Sequence, residues 1–273
     1  MPIGALKVAG GNKYLGNPCL RWPSEVIYTS LGREGLLSVI SGIFYLALLL
    51  GPSDPEGAWK VKVYGALREI MHQADISERV KLADLGGEAG MYGLGAVADL
   101  KGEIIILDGN AYVSRVEDGL VSVKKASSQG AALLVTAHIA KWQAMPIPPQ
   151  VKGLGDLAKF LETSAKRIGL DPAGPFPFQV KGHLKSVSWH VIDWPDGDTE
   201  HTHEKHKNSG ARGDLADSMV TLLGFFSDHH QGRFTHHTTS IHVHVRSDDG
   251  ALAGHVDGLN LGDGAVLLLP DTR

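Results

Sequence analysis

The sequence predicts an α+β fold within the broad α/β class: β-rich, with mixed or antiparallel sheets, a few helices and two packed subdomains. Three observations predict it. Short β-branched or apolar runs recur between turn signals, which is the pattern of strands. Asp108-Gly109 stands between two such runs, Glu103–Leu107 and Ala111–Ser114, and Asp-Gly there signals a type I′ hairpin. Helical periodicity is confined to a few segments, the clearest being Asp156–Ile168, with Leu157, Phe160, Leu161, Ala165 and Ile168 on one face.

The elements follow in order. Residues 1–57 form an N-terminal extension. Its first 35 residues are rich in Gly, Pro and Ser without a clear period, and Leu36–Leu50 is an uncharged apolar run of fifteen residues preceded by Arg33. That run is shorter than the roughly 20 residues that span a bilayer. It reads either as the apolar part of a secretion signal or tether, or as a buried helix. The first reading makes the protein secreted, periplasmic or membrane-tethered; the second makes it cytoplasmic. A first α/β subdomain is expected over 58–145. There, Val61–Met71 starts as a strand and continues as a helix, and Asp75 with Glu78 resembles a capping box for a short helix through Leu85. Gly86–Gly95 reads as a bend, and Ala131–His138 as a strand. The prolines of 146–149 mark the boundary to a metal-binding β-rich subdomain, 146–273. Gly169 and Pro172 end the helix of that part. Phe178–Ile192, Met219–Phe226, Ser240–Val245, His255–Leu259 and Ala265–Leu269 read as strands, and Asp193–Asp214 as a long exposed polar loop.

Composition narrows the function. Apolar residues make up 43% and charged residues 21% of 273 residues, a globular balance. The net charge of −4 argues against nucleic acid as a partner. The single cysteine, Cys19, excludes an internal disulfide framework and thiolate-rich metal sites. Histidine is the outlier: 14 are present, 12 of them at or after His183. Imidazole is the commonest neutral metal ligand.

The sharpest pattern is Ile241-His242-Val243-His244-Val245. Residues two apart on a strand share a face, so His242 and His244 stand side by side. Ser247-Asp248-Asp249-Gly250 supplies a turn, and the returning strand brings back His255. Three histidines with an open position suit a catalytic zinc ion. The competing readings are a surface strand with chance histidines and a cupin-type β-helix, which wants a Glu soon after the pair where this chain has Arg246-Ser247-Asp248. His229, His230, His236 and His237 lie on the approach to the strand, as donors, substrate contacts or a lid. His201, His203 and His206 read as solvated loop, or as a capture loop for metal. Gly93-Leu94-Gly95-Ala96-Val97-Ala98 spells a dinucleotide fingerprint, but a hairpin follows it where that motif needs a helix.

These segments resemble one family, the zinc-dependent α-acetolactate decarboxylases, of which this chain looks like a divergent member. The likeness is carried by Tyr92–Gly109, by Val180–His190, by Leu223–Ser227, by the run from His242 to Val256 and by Leu268-Leu269-Pro270. The resemblance implies that His242, His244 and His255 ligate one Zn2+ per chain. It places Glu103 as a metal-approaching glutamate and implies a lyase converting 2-acetolactate to acetoin and carbon dioxide. His190 stands where the family has an arginine that would clamp the departing carboxylate, and Ala96 where it has a threonine. Glu103 and His190 are thus the candidate catalytic residues. The expected partners are a small-molecule substrate and a second copy in a homodimer; membrane association turns on residues 36–50. The alternative functions are a zinc hydrolase of a small ester or lactone and a non-catalytic metal-binding protein.

Overall fold

The computed structural model describes residues 59–236 and 238–272; the N-terminal extension and its apolar run lie outside them. Among the described residues, two antiparallel sheets and three helices make up the fold, as expected for a β-rich α+β protein. No helix among them is long and apolar enough to cross a membrane.

The first sheet joins β1 (Lys62–Tyr64), β7 (Gly130–His138), β3 (Met91–Val97), β4 (Glu103–Leu107), β5 (Asn110–Glu117) and β6 (Leu120–Lys125), with β2 (Val80–Lys81) also on β7. Helix α1 (Leu67–Gln73) follows β1 directly. The β4–β5 turn has Asp108 at φ 50° and Gly109 at φ 75°, the pair of positive angles that a type I′ turn requires.

The second sheet runs β10 (Ala211–Phe226), β11 (Ile241–Ser247), β12 (Ala253–Asn260), β9 (Phe176–Val191), β13 (Val266–Pro270) and β8 (Trp142–Pro146). Strand β10 pairs with β9 as well as with β11, so β9 to β12 close into a ring. Helix α2 (Leu154–Arg167) adds Leu157, Leu161 and Ala165 to the core that Val243, Val245 and Val256 share with β9. The opposite faces of the same strands meet the first sheet. There Leu223, Phe225 and Ala253 pack with Leu94, Ile105 and Val135. His244 is the cross-strand partner of Leu223 and His242 of Phe225, so both imidazoles enter this layer between the sheets.

Three local expectations are corrected. Asp75 does not start an α-helix: its carboxylate accepts from the Ser77 amide and hydroxyl, and a single 3₁₀ turn, Leu82–Leu85, follows β2. The competing side-chain bond holds the backbone in a turn. The glycine-rich segment is a bend only as far as Gly90; Met91–Val97 is a central strand. The supposed loop 193–214 contains helix α3 (His203–Asn208), capped by the Thr202 side chain, and the start of β10. Strands β6 and β8 were not expected from the sequence.

Candidate active site between the sheets

A row of imidazoles crosses three neighbouring strands. His244 on β11 lies directly opposite His255 on β12, and His255 opposite His190 on β9. His242 joins the row one strand repeat along β11. Ring centroids are 5.1 Å apart for His242–His244 and His242–His255, 5.5 Å for His244–His255 and 4.7 Å for His190–His255. All three sequence-predicted ligands are therefore together, and His190 stands against them.

The Nε2 atoms of His242 and His244 are 3.2 Å apart. Two ligand nitrogens about 2.05 Å from one tetrahedral zinc ion are separated by about 3.3 Å. Burial, followed by repulsion from neighbouring imidazoles, pushes both groups well below the usual histidine value, and burial pushes His255 down to about 4. Near neutral pH all three are uncharged, the form a metal ion takes up. The Nδ1 atoms of all three are buried without a well-formed hydrogen bond. The Phe234 and Ile104 carbonyls nevertheless favour protonation of His242 and His244. The three imidazoles therefore fit zinc in number and chemistry, and the His242–His244 pair fits it in spacing.

Glu103 reaches the row from the other sheet. It opens β4, is 5% exposed, and places Oε2 3.6 Å from His244 Nε2 while Oε1 accepts from the Ile192 amide at 3.4 Å. Burial raises its pKa well above the usual carboxylate range; the Ile192 amide opposes this, and the charge of Asp257 adds to it.

Asp257 went unnoticed in the sequence. It sits at a register shift in β12 between Val256 and Gly258, a bulge that re-aims a side chain. Oδ2 accepts from His190 Nδ1 at 2.9 Å, and Oδ1 lies 3.6 Å from His255 Nδ1. Burial opposes its charge, but its hydrogen bond with His190 and its contact with His255 hold its pKa well below the usual range. His190, His255 and Asp257 also offer ligand atoms within 4.8 Å of one another. Its spacing from His255 matches that of His242 from His244, and that spacing was the signal available.

The other histidines divide. His201 and His206 are buried, with ring nitrogens 2.8 Å apart, against Trp194. They are not solvated loop. Trp194 shields the pair, which is why a polar segment folds inward. His203 on α3 touches His236, with ring centroids 4.4 Å apart. His230 bonds Ser227 and stacks on Phe234, a structural contact. His237 lies outside the described residues. A cavity of about 60 Å³ is lined by Ala96, Glu103, His190, His242, His255 and apolar side chains including Leu133 and Phe234.

The comparisons agree with this architecture. The family model for alpha-acetolactate decarboxylase matches residues 64–269. Three solved structures each cover 77% of this chain and 85% of their own. One is a Staphylococcus aureus protein of unknown function described as similar to alpha-acetolactate decarboxylase, with 16% identity and a TM-score of 0.59. The others are acetolactate decarboxylases from Bacillus subtilis strain 168 and from its subspecies spizizenii, with 14% and 15% identity and TM-scores of 0.61. Identity that low shows a shared fold. No curated protein sequence is a significant match. The family model spans three-quarters of the chain, and on that ground the protein belongs to the alpha-acetolactate decarboxylase family.

Proposed function

We propose that the protein is a zinc-dependent carboxy-lyase that converts a small 2-hydroxy-3-keto acid, 2-acetolactate in the simplest case, to acetoin and carbon dioxide. The observation that carries this is the meeting of His242, His244 and His255 with Glu103: three of the four, Glu103, His242 and His255, line one cavity, and His244 lies 3.6 Å from Glu103, in a chain of this family. His242, His244 and His255 hold the ion. When bound, it supplies a Lewis acid for the substrate's hydroxyl and keto oxygens. The His190, His255 and Asp257 set is the weaker place for it. There the His190–Asp257 contact is already a 2.9 Å hydrogen bond, and Lys207 Nζ lies 3.9 Å from the other Asp257 oxygen.

The chain's own groups do the rest. Leu133, Ile192 and Phe234 give the cavity apolar walls, and electrostatic contacts are stronger in such surroundings than in water. Burial disfavours the charge of Glu103, which favours the form that carries a proton. It can give that proton to the carbon that loses the carboxylate. His190 is held in one orientation by Asp257.

The test is metal analysis of the purified protein combined with an acetoin assay on racemic acetolactate. One zinc ion per chain and acetoin formation are expected. Full zinc occupancy without acetoin would overturn the reading, and ester or lactone turnover in that event would point to the hydrolase. His242→Ala is expected to abolish both metal binding and turnover.

A further inference from the structure

Strands β11 and β12 run together for only part of their length. They pair at Arg246–Ala253, Val245–Gly254 and His244–His255, and then part. Beyond that rung β11 continues to Ile241 against β10, and β12 continues to Asn260 against β9. A bulged strand bends, and β12 is bulged between Val256 and Gly258. A groove of about 730 Å³ lies at the parting, lined by Ile241 and Val243 of one strand and by Val256 and Asp257 of the other.

The groove and the inner cavity adjoin at the proposed metal site, because His242 and His255 line both. The two spaces differ greatly in size, about 60 Å³ against about 730 Å³. The inner one leaves little room beyond the reacting atoms. The outer one falls within the range of pockets that hold a drug-sized ligand, roughly 300 to 1,000 Å³. An acid as small as 2-acetolactate, bound at the ion, leaves most of the groove empty.

The walls of the groove are mainly apolar. Met71 of α1 and Leu154 and Ala158 of α2 are half-buried, and they line it together with Ile241, Val243 and Val256. Its charged residues form no strong receptor for a second polar group: Lys207 Nζ lies 3.9 Å from Asp257 Oδ1, and Lys159 is exposed. Apolar surface left open beside the ion gains free energy when an alkyl chain covers it.

We propose that the substrate is a 2-hydroxy-3-keto acid with an alkyl substituent larger than methyl or ethyl, which lies in this groove while the two chelating oxygens reach the ion. This narrows the substrate class of the decarboxylase reading above and rests on it. It makes Met71 and Ala158 determinants of chain length.

The test uses three acids that keep both chelating oxygens and lack the keto group that decarboxylation needs. The short one is 2,3-dihydroxy-2-methylbutanoate. The long ones, 2,3-dihydroxy-2-methyloctanoate and 2,3-dihydroxy-2-pentylbutanoate, extend the chain on either side of the chelate by four methylenes. Each buried methylene is worth roughly two- to fourfold in affinity, so calorimetric titration of the zinc-loaded protein should show one long acid binding at least about tenfold more tightly than the short one. Ala158→Phe fills the groove and should cut that gain to within about twofold at unchanged zinc content. Met71→Gln keeps the volume without the apolar surface and should lower it in the same direction. No gain in the wild type, or a gain that survives in both variants, overturns the proposal. No gain, together with a dimer that Ala158→Phe dissociates, gives the groove to a second copy of the chain and overturns it too. A gain lost in either variant, with neither acetoin nor a longer acyloin formed by the wild type from the matching keto acids, supports the groove and refutes the decarboxylase reading instead. Acetoin without the gain refutes the groove alone.

Discussion

His190 Nδ1 and Asp257 Oδ2 are 2.9 Å apart, joined across β9 and β12 at the point where a bulge breaks the register. The same carboxylate lies 3.6 Å from His255 Nδ1 through its other oxygen. One side chain thus orients both a cavity imidazole and a proposed ligand. A carboxylate behind a ligating histidine fixes its ring and raises its basicity.

Asp257→Asn is therefore expected to weaken zinc binding by about tenfold to hundredfold, measured by competition with a chromophoric chelator. Unfolding in urea should change little, because Asn fills the same space. Unchanged zinc affinity would show that the carboxylate does not act on the metal through His255.

Glu103→Gln separates the proton from the scaffold. Gln keeps the shape and can still accept from the Ile192 amide, so zinc should remain stoichiometric. It has no acidic proton to deliver. Turnover of acetolactate should fall by roughly 10² to 10⁴-fold, the usual worth of a general acid. A variant that forms acetoin at the wild-type rate would remove Glu103 from the chemistry.

Local chemistry was readable in the sequence, and long-range placement was not. Asp108-Gly109 declared its hairpin because the turn type depends on two residues alone. His242, Val243 and His244 declared a shared face because strand alternation is local. That Glu103 would reach His244 from another sheet depends on packing between strands far apart in sequence, which only the family likeness suggested. The inward turn of His201 and His206 depends on Trp194 and a tertiary contact, so a polar composition misread it as loop. Asp257 had one local sign, its two-residue spacing from His255, but its contacts with both His190 and His255 depend on the bulge in β12.

His206 gives the metal-free protein a pH dependence with a definite sign. Burial, then the neighbouring His201, pushes its pKa down to about 3, from the usual 6.5 that the unfolded chain keeps. As pH falls below 6.5 the unfolded state takes up the proton first. The associated stability is present above pH 6.5 and is lost progressively toward pH 3, with a slope of up to about 1.4 kcal/mol per pH unit. Urea unfolding at pH 7, 6 and 5 should show the wild type falling more steeply than His206→Asn. Parallel curves would mean that the imidazole is not held neutral by the fold.

Gly95 shows what the glycine-rich motif is for. It lies in the middle of β3 between β4 and β7, opposite Ile104 and Leu134. A Cβ there would stand 1.9 Å from the Leu133 carbonyl oxygen, which belongs to backbone and has little freedom to retreat. Both Gly95 and Leu133 line the buried cavity, so any shift of the strand is felt at the site. Gly95→Ala should thus destabilise the fold by on the order of 3 kcal/mol, read as a lower urea midpoint at an unchanged slope. Zinc-dependent turnover should fall with it, because the strand that carries Ala96 and the one that carries Glu103 are direct neighbours. A variant as stable as the wild type would mean that β3 and β7 lie further apart than their pairing indicates.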